Sequence, residues 1–160
     1  MRPLKWNKDK NIRDSGHWLA SKIELIELKD EILKNNQKAN IKRGGIFNVE
    51  LGRGNIGAEK NKLRPCLIIS RNILNNGQTV VIIPLSTKFD YKLISLKKVP
   101  RYKNHFILFA DEYSFSRDDL CLKCEDIRVI DKVRIKDHLG NIKKFHLDMV
   151  KKRILFTLGF

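Results

Sequence analysis

The chain has 160 residues, 42% of them hydrophobic and 32% charged, and its 33 Lys and Arg against 18 Asp and Glu leave a formal charge of +15. That composition supports a buried core and excludes wholesale disorder. Apolar runs no longer than Thr79 to Leu85 exclude a bilayer-spanning helix, and the opening Met1-Arg2-Pro3-Leu4-Lys5 leads into no apolar stretch of the kind a secretory signal needs. Three cysteines, Cys66, Cys121 and Cys124, make an odd set in a chain large enough to need no staples, which predicts a reducing, cytoplasmic setting without a disulfide framework. The positive excess points to a polyanion. Nucleic acid fits better than a membrane surface, because the cations are scattered between apolar runs and do not line one amphipathic face; basicity for solubility alone is the plainer reading of the same number.

Residues 1–40 read as an N-terminal extension. Its first dozen residues are polar, with Leu4, Trp6 and Ile12 as anchors, and predict a loosely ordered lead-in. From Ser15 as N-cap, Leu19, Ile23, Ile26 and Leu33 recur at helical spacing, widened by Leu25, Leu28 and Ile32; one amphipathic helix over about residues 16–35 follows, ending at Asn35-Asn36-Gln37. Burial in the core is the expected fate of that stripe, ahead of helix pairing or covering a groove. From residue 41 the texture turns to short β runs. Strands are expected at Ile46–Leu51, Pro65–Ser70 and Thr79–Leu85, with a turn at Asn75-Asn76-Gly77. Further strands are expected at Leu93–Val99, His105–Ala110, Leu120 to Leu122 and Ile127 to Ile130, before a helix from about His146 to Leu158. The extension carries only +3 of the charge and the β-rich part +12.

Two segments hold candidate chemistry. Gly57-Ala58-Glu59-Lys60-Asn61-Lys62-Leu63-Arg64-Pro65 is a polar connection that ends on a fixed point, since Pro65 presets its own φ and restrains Arg64 toward an extended backbone. Arg64 could grip a phosphate through paired hydrogen bonds, and Glu59 could accept a proton or position that arginine; an Arg-Pro pair opening a strand is also an ordinary surface feature. Pro84-Leu85-Ser86-Thr87-Lys88 puts hydroxyls at the end of the buried strand, where Ser86 either reaches a bound phosphate or simply satisfies backbone groups. Cys121 and Cys124 form C-x-x-C without a second pair, so strand packing is expected in place of zinc or redox chemistry. His17, His105, His138 and His146 are too dispersed in sequence to suggest a His-based acid–base pair.

Five stretches in order carry a family likeness: Lys42-Arg43-Gly44-Gly45-Ile46-Phe47, Gly57 to Glu59, Arg64-Pro65-Cys66-Leu67-Ile68-Ile69-Ser70, Pro84-Leu85-Ser86-Thr87, and Cys124-Glu125-Asp126-Ile127-Arg128-Val129-Ile130-Asp131-Lys132. Together they resemble the MazF/PemK toxin family over about residues 41–160. The resemblance implies an α+β, mainly β fold: a small SH3-like barrel with a C-terminal helix, to which this chain adds its N-terminal helix. It further implies a homodimeric, sequence-specific endoribonuclease held in check by a cognate antitoxin. Such an enzyme cuts single-stranded mRNA without metal or other cofactor, by attack of the RNA's own 2′-OH, to leave a 2′,3′-cyclic phosphate and a 5′-OH. Carried over by motif, Arg64 would stabilise the phosphorane, Ser86 would stand where many members have a catalytic Thr or Ser, and Glu59 would match an acidic residue used as base or orienting group. Arg53, Lys60, Lys62, Thr87 and Lys88, beside these, are the candidates for RNA contact. The chain departs from the family pattern at Gly45, commonly acidic, and at Asp126, often Gln. A basic RNA- or DNA-binding module without catalysis, and a gyrase-poisoning toxin on the same barrel, are the alternatives. Glu125, Arg128, Asp131 and Lys132 read as structural ion pairs.

Overall fold

The computed structural model describes residues 7–35, 40–55 and 59–160. Its elements are α1 (Lys8–Lys34), β1 (Gly45–Glu50), β2 (Leu63–Ile68), β3 (Thr79–Ser86), β4 (Tyr91–Ile94), β5 (Lys97–Pro100), β6 (His105–Leu108), β7 (Leu120–Lys123), β8 (Arg128–Asp131), β9 (Ile135–Asn141) and α2 (Lys144–Leu158), with four single 3-10 turns between them. Among the described residues no helix is long and apolar enough to cross a membrane.

The run Thr79-Val-Val-Ile-Ile-Pro-Leu-Ser86 is apolar at consecutive positions because β3 is buried on both faces and paired along both edges. One edge pairs with β2. The other edge changes partner midway: Thr79 to Ile82 pair with β8, and Leu85 and Ser86 with β7. Pro84 sits at that changeover, where its missing N–H interrupts no ladder. The full sheet has seven antiparallel strands along the path β6-β7-β3-β2-β1-β9, with β8 off the path on β3.

Alternate residues of the central strands feed two buried clusters. Ile46, Leu67, Ile83, Leu85, Phe106, Leu108 and Leu122 pack with Val150 of α2 on one side. Phe47, Val49, Cys66, Ile68, Val80, Ile82 and Ile130 pack on the other. Fully buried side chains of this size contribute roughly 1.5–3 kcal/mol each, so the two clusters hold β1, β2 and β3 rigidly. Gly45 is explained here as well: a Cβ at that position would lie 2.6 Å from the Phe47 ring, so the aromatic edge occupies the place of a side chain.

Three expectations change. α1 begins at Lys8, capped by Asn7, whose side chain accepts from Lys10 N, so Ser15 is not its N-cap and residues 8–12 are helical and not loosely ordered. Residues 1–6, and Asn36-Gln37 of the expected helix end, lie outside the described residues. The stretch Leu93–Val99 is not one strand. Ser95 and Leu96, at φ +48° and +64°, fold it into a β4–β5 hairpin paired apart from the main sheet. The polar Ile135–Asn141 segment, with no expected element, forms β9 at the edge of the sheet, where charged and glycine residues blunt an open edge.

The apolar stripe of α1 is also not where expected. Leu25 is the residue of α1 that is buried, and Leu19, Ile23, Ile26 and Leu33 are exposed. The helix is instead fastened by Trp18, which lies against Gly52 and under the Arg134 guanidinium, and by Lys29, 2.7 Å from Asp131.

Candidate active site

Two neighbouring strands place Arg64 and Ser86. Cys66 faces Pro84 and Ile68 faces Ile82 across β2 and β3; carrying that register two residues further sets Ser86 opposite Arg64. Strand alternation puts both on the side of the sheet that holds Cys66, Ile68 and Ile82. Arg128 faces Ile82 from the other edge of β3 and joins the same side.

Arg64 is half-buried, and its Nε donates to the Asn61 carbonyl at 2.7 Å. That bond fixes the base of the guanidinium, while its two terminal nitrogens have no hydrogen-bond partner among the described residues. Cys66 lies beneath. Burial pushes its thiol up to about 12 even though the positive charges of Arg128 and Arg64 pull the other way, which places both guanidinium groups within electrostatic reach of one buried atom.

The strand-connecting segment is pinned from inside. Asn55 Nδ2 donates to the Lys60 carbonyl at 2.8 Å, and Arg128 Nη1 approaches the same oxygen at 3.4 Å. Lys60 Nζ stands 3.2 Å from Asp126 Oδ2, with both side chains about one-fifth exposed. Asp126 Oδ2 makes no aligned hydrogen bond, so charge proximity holds this pair. Lys62 reverses the chain with φ +65° just before Arg64.

Ser86 is buried, and its hydroxyl closes a turn: it accepts from Lys88 N at 3.1 Å and lies 3.3 Å from the Lys88 carbonyl, to which it donates. Glu59 is exposed and makes no ion pair with Arg64 among the described residues; Gly57 and Ala58 of its motif lie outside them. Arg53, Lys62, Thr87 and Lys88 are exposed, the first two on the β1–β2 connection and the last two in the turn after β3. Lys60 differs from these four, because Asp126 already faces its charge.

Sequence reasoning missed both Arg128, read as part of a structural ion pair, and Asp126, read only as a departure from the family pattern, as parts of this cluster. A signal was available: Arg128 alternates with Ile130 on an inward face, and a charge at an inward position needs a reason. Cys121 and Cys124 are buried free thiols, both pushed up to about 12 by burial; Cys121 packs from β7 as expected, whereas Cys124 packs from the 3-10 turn that follows it and not from a strand.

A rigid antiparallel sheet thus presents two arginines and a hydroxyl on one side, with further cations on the adjoining turns. The chemistry of that arrangement is the binding of an anionic, phosphate-bearing chain. Residues 42–158 match the family of PemK-like, MazF-like toxins of type II toxin–antitoxin systems, and the chain belongs to that family. It is 30% identical over 119 residues to Endoribonuclease EndoA of Bacillus subtilis, covering 74% of this chain and 95% of the relative. Among solved structures, MazF of Deinococcus radiodurans superposes with a TM-score of 0.60 at 16% identity, over 77% of this chain and 100% of that one. The Mycobacterium tuberculosis toxin MazF-mt6 gives 0.56 at 14%, over 72% and 97%. A mycobacterial endoribonuclease in complex with its cognate antitoxin gives 0.54 at 18%, over 75% and 96%. At these identities the structural likenesses establish the fold.

Proposed function

We propose that the chain is a sequence-specific endoribonuclease toxin that cuts single-stranded mRNA in the cytoplasm, acts as a homodimer and is neutralised by a cognate antitoxin. The reading is supported by one observation, that the strand register puts Arg64, Ser86 and Arg128 on one side of the β2-β3-β8 sheet in a member of this toxin family. In the reaction the 2′-oxygen bonds to the adjacent phosphorus and the bond to the 5′-oxygen breaks, leaving a 2′,3′-cyclic phosphate. The 2′ proton leaves to a base and the departing 5′-oxygen gains a proton.

Arg64 is assigned to the phosphorane, because its terminal nitrogens are open while its Nε is held. Ser86 is assigned to the same phosphate, exchanging its Lys88 contacts for the substrate. Glu59, exposed on the connection that leads into β2, is assigned as the proton acceptor; Arg53, Lys62, Thr87 and Lys88 hold the RNA backbone, with Lys60 tied to Asp126 as support for the loop.

Mapping the ends produced on a long transcript with EDTA present, for wild type and Arg64→Ala side by side, tests this reading. Wild type is expected to leave cyclic phosphate and 5′-OH ends at a preferred sequence. Arg64→Ala is expected to lose roughly 10²–10³ in cleavage rate while still binding RNA. Salt-sensitive binding by wild type without products would overturn the enzyme in favour of a binding module.

A further inference from the structure

α1 stands outside the 42–158 family region, yet its N-terminal half lies on a segment inside that region, the connection from β1 to β2. Here loop backbone meets helix directly. Gly52 and Gly54 take φ +92° and +71°, the left-handed region that favours glycine, and neither has space for a side chain. A Cβ at Gly52 would lie 3.2 Å from Cε2 of Trp18. One at Gly54 would strike the Ser15 hydroxyl and sit 2.9 Å from Ser15 N and 3.0 Å from the Asn11 carbonyl oxygen. The helix is in turn held by the body: the Arg134 guanidinium stands 5.3 Å from the Trp18 ring centre, and Lys29 pairs with Asp131.

A connection with two glycines loses more conformational freedom on ordering than one without them, so its order needs a support. That order passes on to the candidate site. The Gly52 carbonyl accepts from Lys62 N, and the Lys62 carbonyl accepts from Leu51 N at 3.1 Å. Asn55, next to Gly54, donates through Nδ2 to the Lys60 carbonyl, which Arg128 Nη1 also approaches. Asn61, beside Lys62, accepts from Arg64 Nε. One packing contact and two hydrogen bonds therefore lead from Trp18, through Gly52 and the Asn61-Lys62 pair, to the base of the Arg64 guanidinium.

We propose that Trp18 is a positioning residue for RNA binding, because α1 braces the β1–β2 connection in its ordered form before RNA arrives. The brace fixes backbone, and the long side chains of Arg53 and Lys62 remain free to find phosphates. Without it, RNA must order the connection itself, and that cost comes off the affinity while the number of cations meeting phosphate stays the same. The ordering is a property of the chain alone; its consequence for RNA rests on the endoribonuclease reading above.

Amide hydrogen exchange and RNA binding of the full chain test the brace together. The probe is a mixed-sequence single-stranded RNA methylated at every 2′-oxygen, which binds without offering the attacking hydroxyl. Trp18→Ala is expected to lower the protection of the Leu51 and Lys62 amides roughly tenfold while the amides of β3 keep theirs. It should weaken RNA binding roughly tenfold at every salt concentration, leaving the slope of log affinity against log salt unchanged because no phosphate contact is lost. Trp18→Phe, which keeps a ring between Gly52 and Arg134, should recover most of both losses. Gly54→Ala, on the loop side of the contact, should give the same two changes, and the double variant should be no worse than the more affected single one. Unchanged protection in Trp18→Ala overturns the brace, as do protection lost equally through β3 and additive losses in the double variant. Lost protection with wild-type affinity overturns its part in RNA binding, and so does a flattened salt slope, which would mean that phosphate contacts went with the indole. If wild type binds no RNA, the endoribonuclease reading fails instead, and exchange alone still decides whether α1 orders the connection.

Discussion

Arg53, on the connection from β1 to β2, and Arg64, on β2 itself, lie close in sequence, yet they occupy opposite physical regimes. Arg64 stands on a strand whose next residues are fully buried, with its Nε held and a second guanidinium nearby. Arg53 projects from an exposed bend, as Lys62, Thr87 and Lys88 project from theirs. A cation on a rigid strand keeps its position when charge develops beside it and needs no reorganisation; a cation on a turn must first be ordered, and water screens it meanwhile. The same +15 composition therefore contains two kinds of positive charge, one suited to a transition state and one suited to a polymer's backbone.

Arg128 breaks this comparison most sharply if it is removed, because it serves the rigid side twice, as a charge near Cys66 and as a donor to the Lys60 carbonyl. Arg128→Ala is expected to lower the single-turnover cleavage rate at saturating protein by roughly 10²–10³. Arg128→Lys should recover little of it, since one ammonium cannot supply both the charge and a forked donor. A variant cleaving at the wild-type rate would return Arg128 to a purely structural place.

Ser86 comes next. Its hydroxyl closes the turn at Lys88 without substrate, so Ser86→Ala should cost about 1 kcal/mol of stability, visible as a downward shift of the melting temperature. If the hydroxyl also serves the scissile phosphate, cleavage at a temperature where the variant is fully folded falls by a further factor of about 10². Loss of stability with undiminished cleavage would leave Ser86 with the turn alone.

How legible this was depends on what kind of residue carried the information. β3 could be read directly, because a strand buried on both faces is an uninterrupted apolar run, and α2 followed from its periodicity. β9 could not, since an edge strand contains Lys136, Asp137 and Gly140 and lacks a run of any kind. The β4–β5 hairpin was hidden because Ser95 and Leu96 take positive φ without the glycine or asparagine that usually announces it. α1 was seen as a helix but misjudged in packing: periodicity reports that a stripe exists, and the structure decides which stripe meets the body. At the proposed site, Arg64 and Ser86 stood out through their motifs, while Arg128 joined them only once β8 was laid beside β3.

The smallest expected effects belong to the turns, and they sharpen the comparison from its other side. Each exposed cation that neutralises one phosphate of a single strand contributes about 0.7 to the slope of log affinity against log salt. Lys62→Ala and Lys88→Ala should each flatten that slope by about this amount and weaken binding at low salt, while the cleavage rate of fully bound RNA stays near wild type. Lys60→Ala behaves differently, because Lys60 faces Asp126 at 3.2 Å and its carbonyl holds Arg128 and Asn55. Its removal leaves a four-fifths-buried carboxylate without its cation, so it should lower cleavage at saturating protein with little change in slope. Lys60 and Lys62 share the connection from β1 to β2 and Lys88 follows β3, and the three separate by whether a carboxylate already answers their charge. A common slope change for all three would mean that the ion pair opens when RNA binds, and Lys60 would then join the mobile cations.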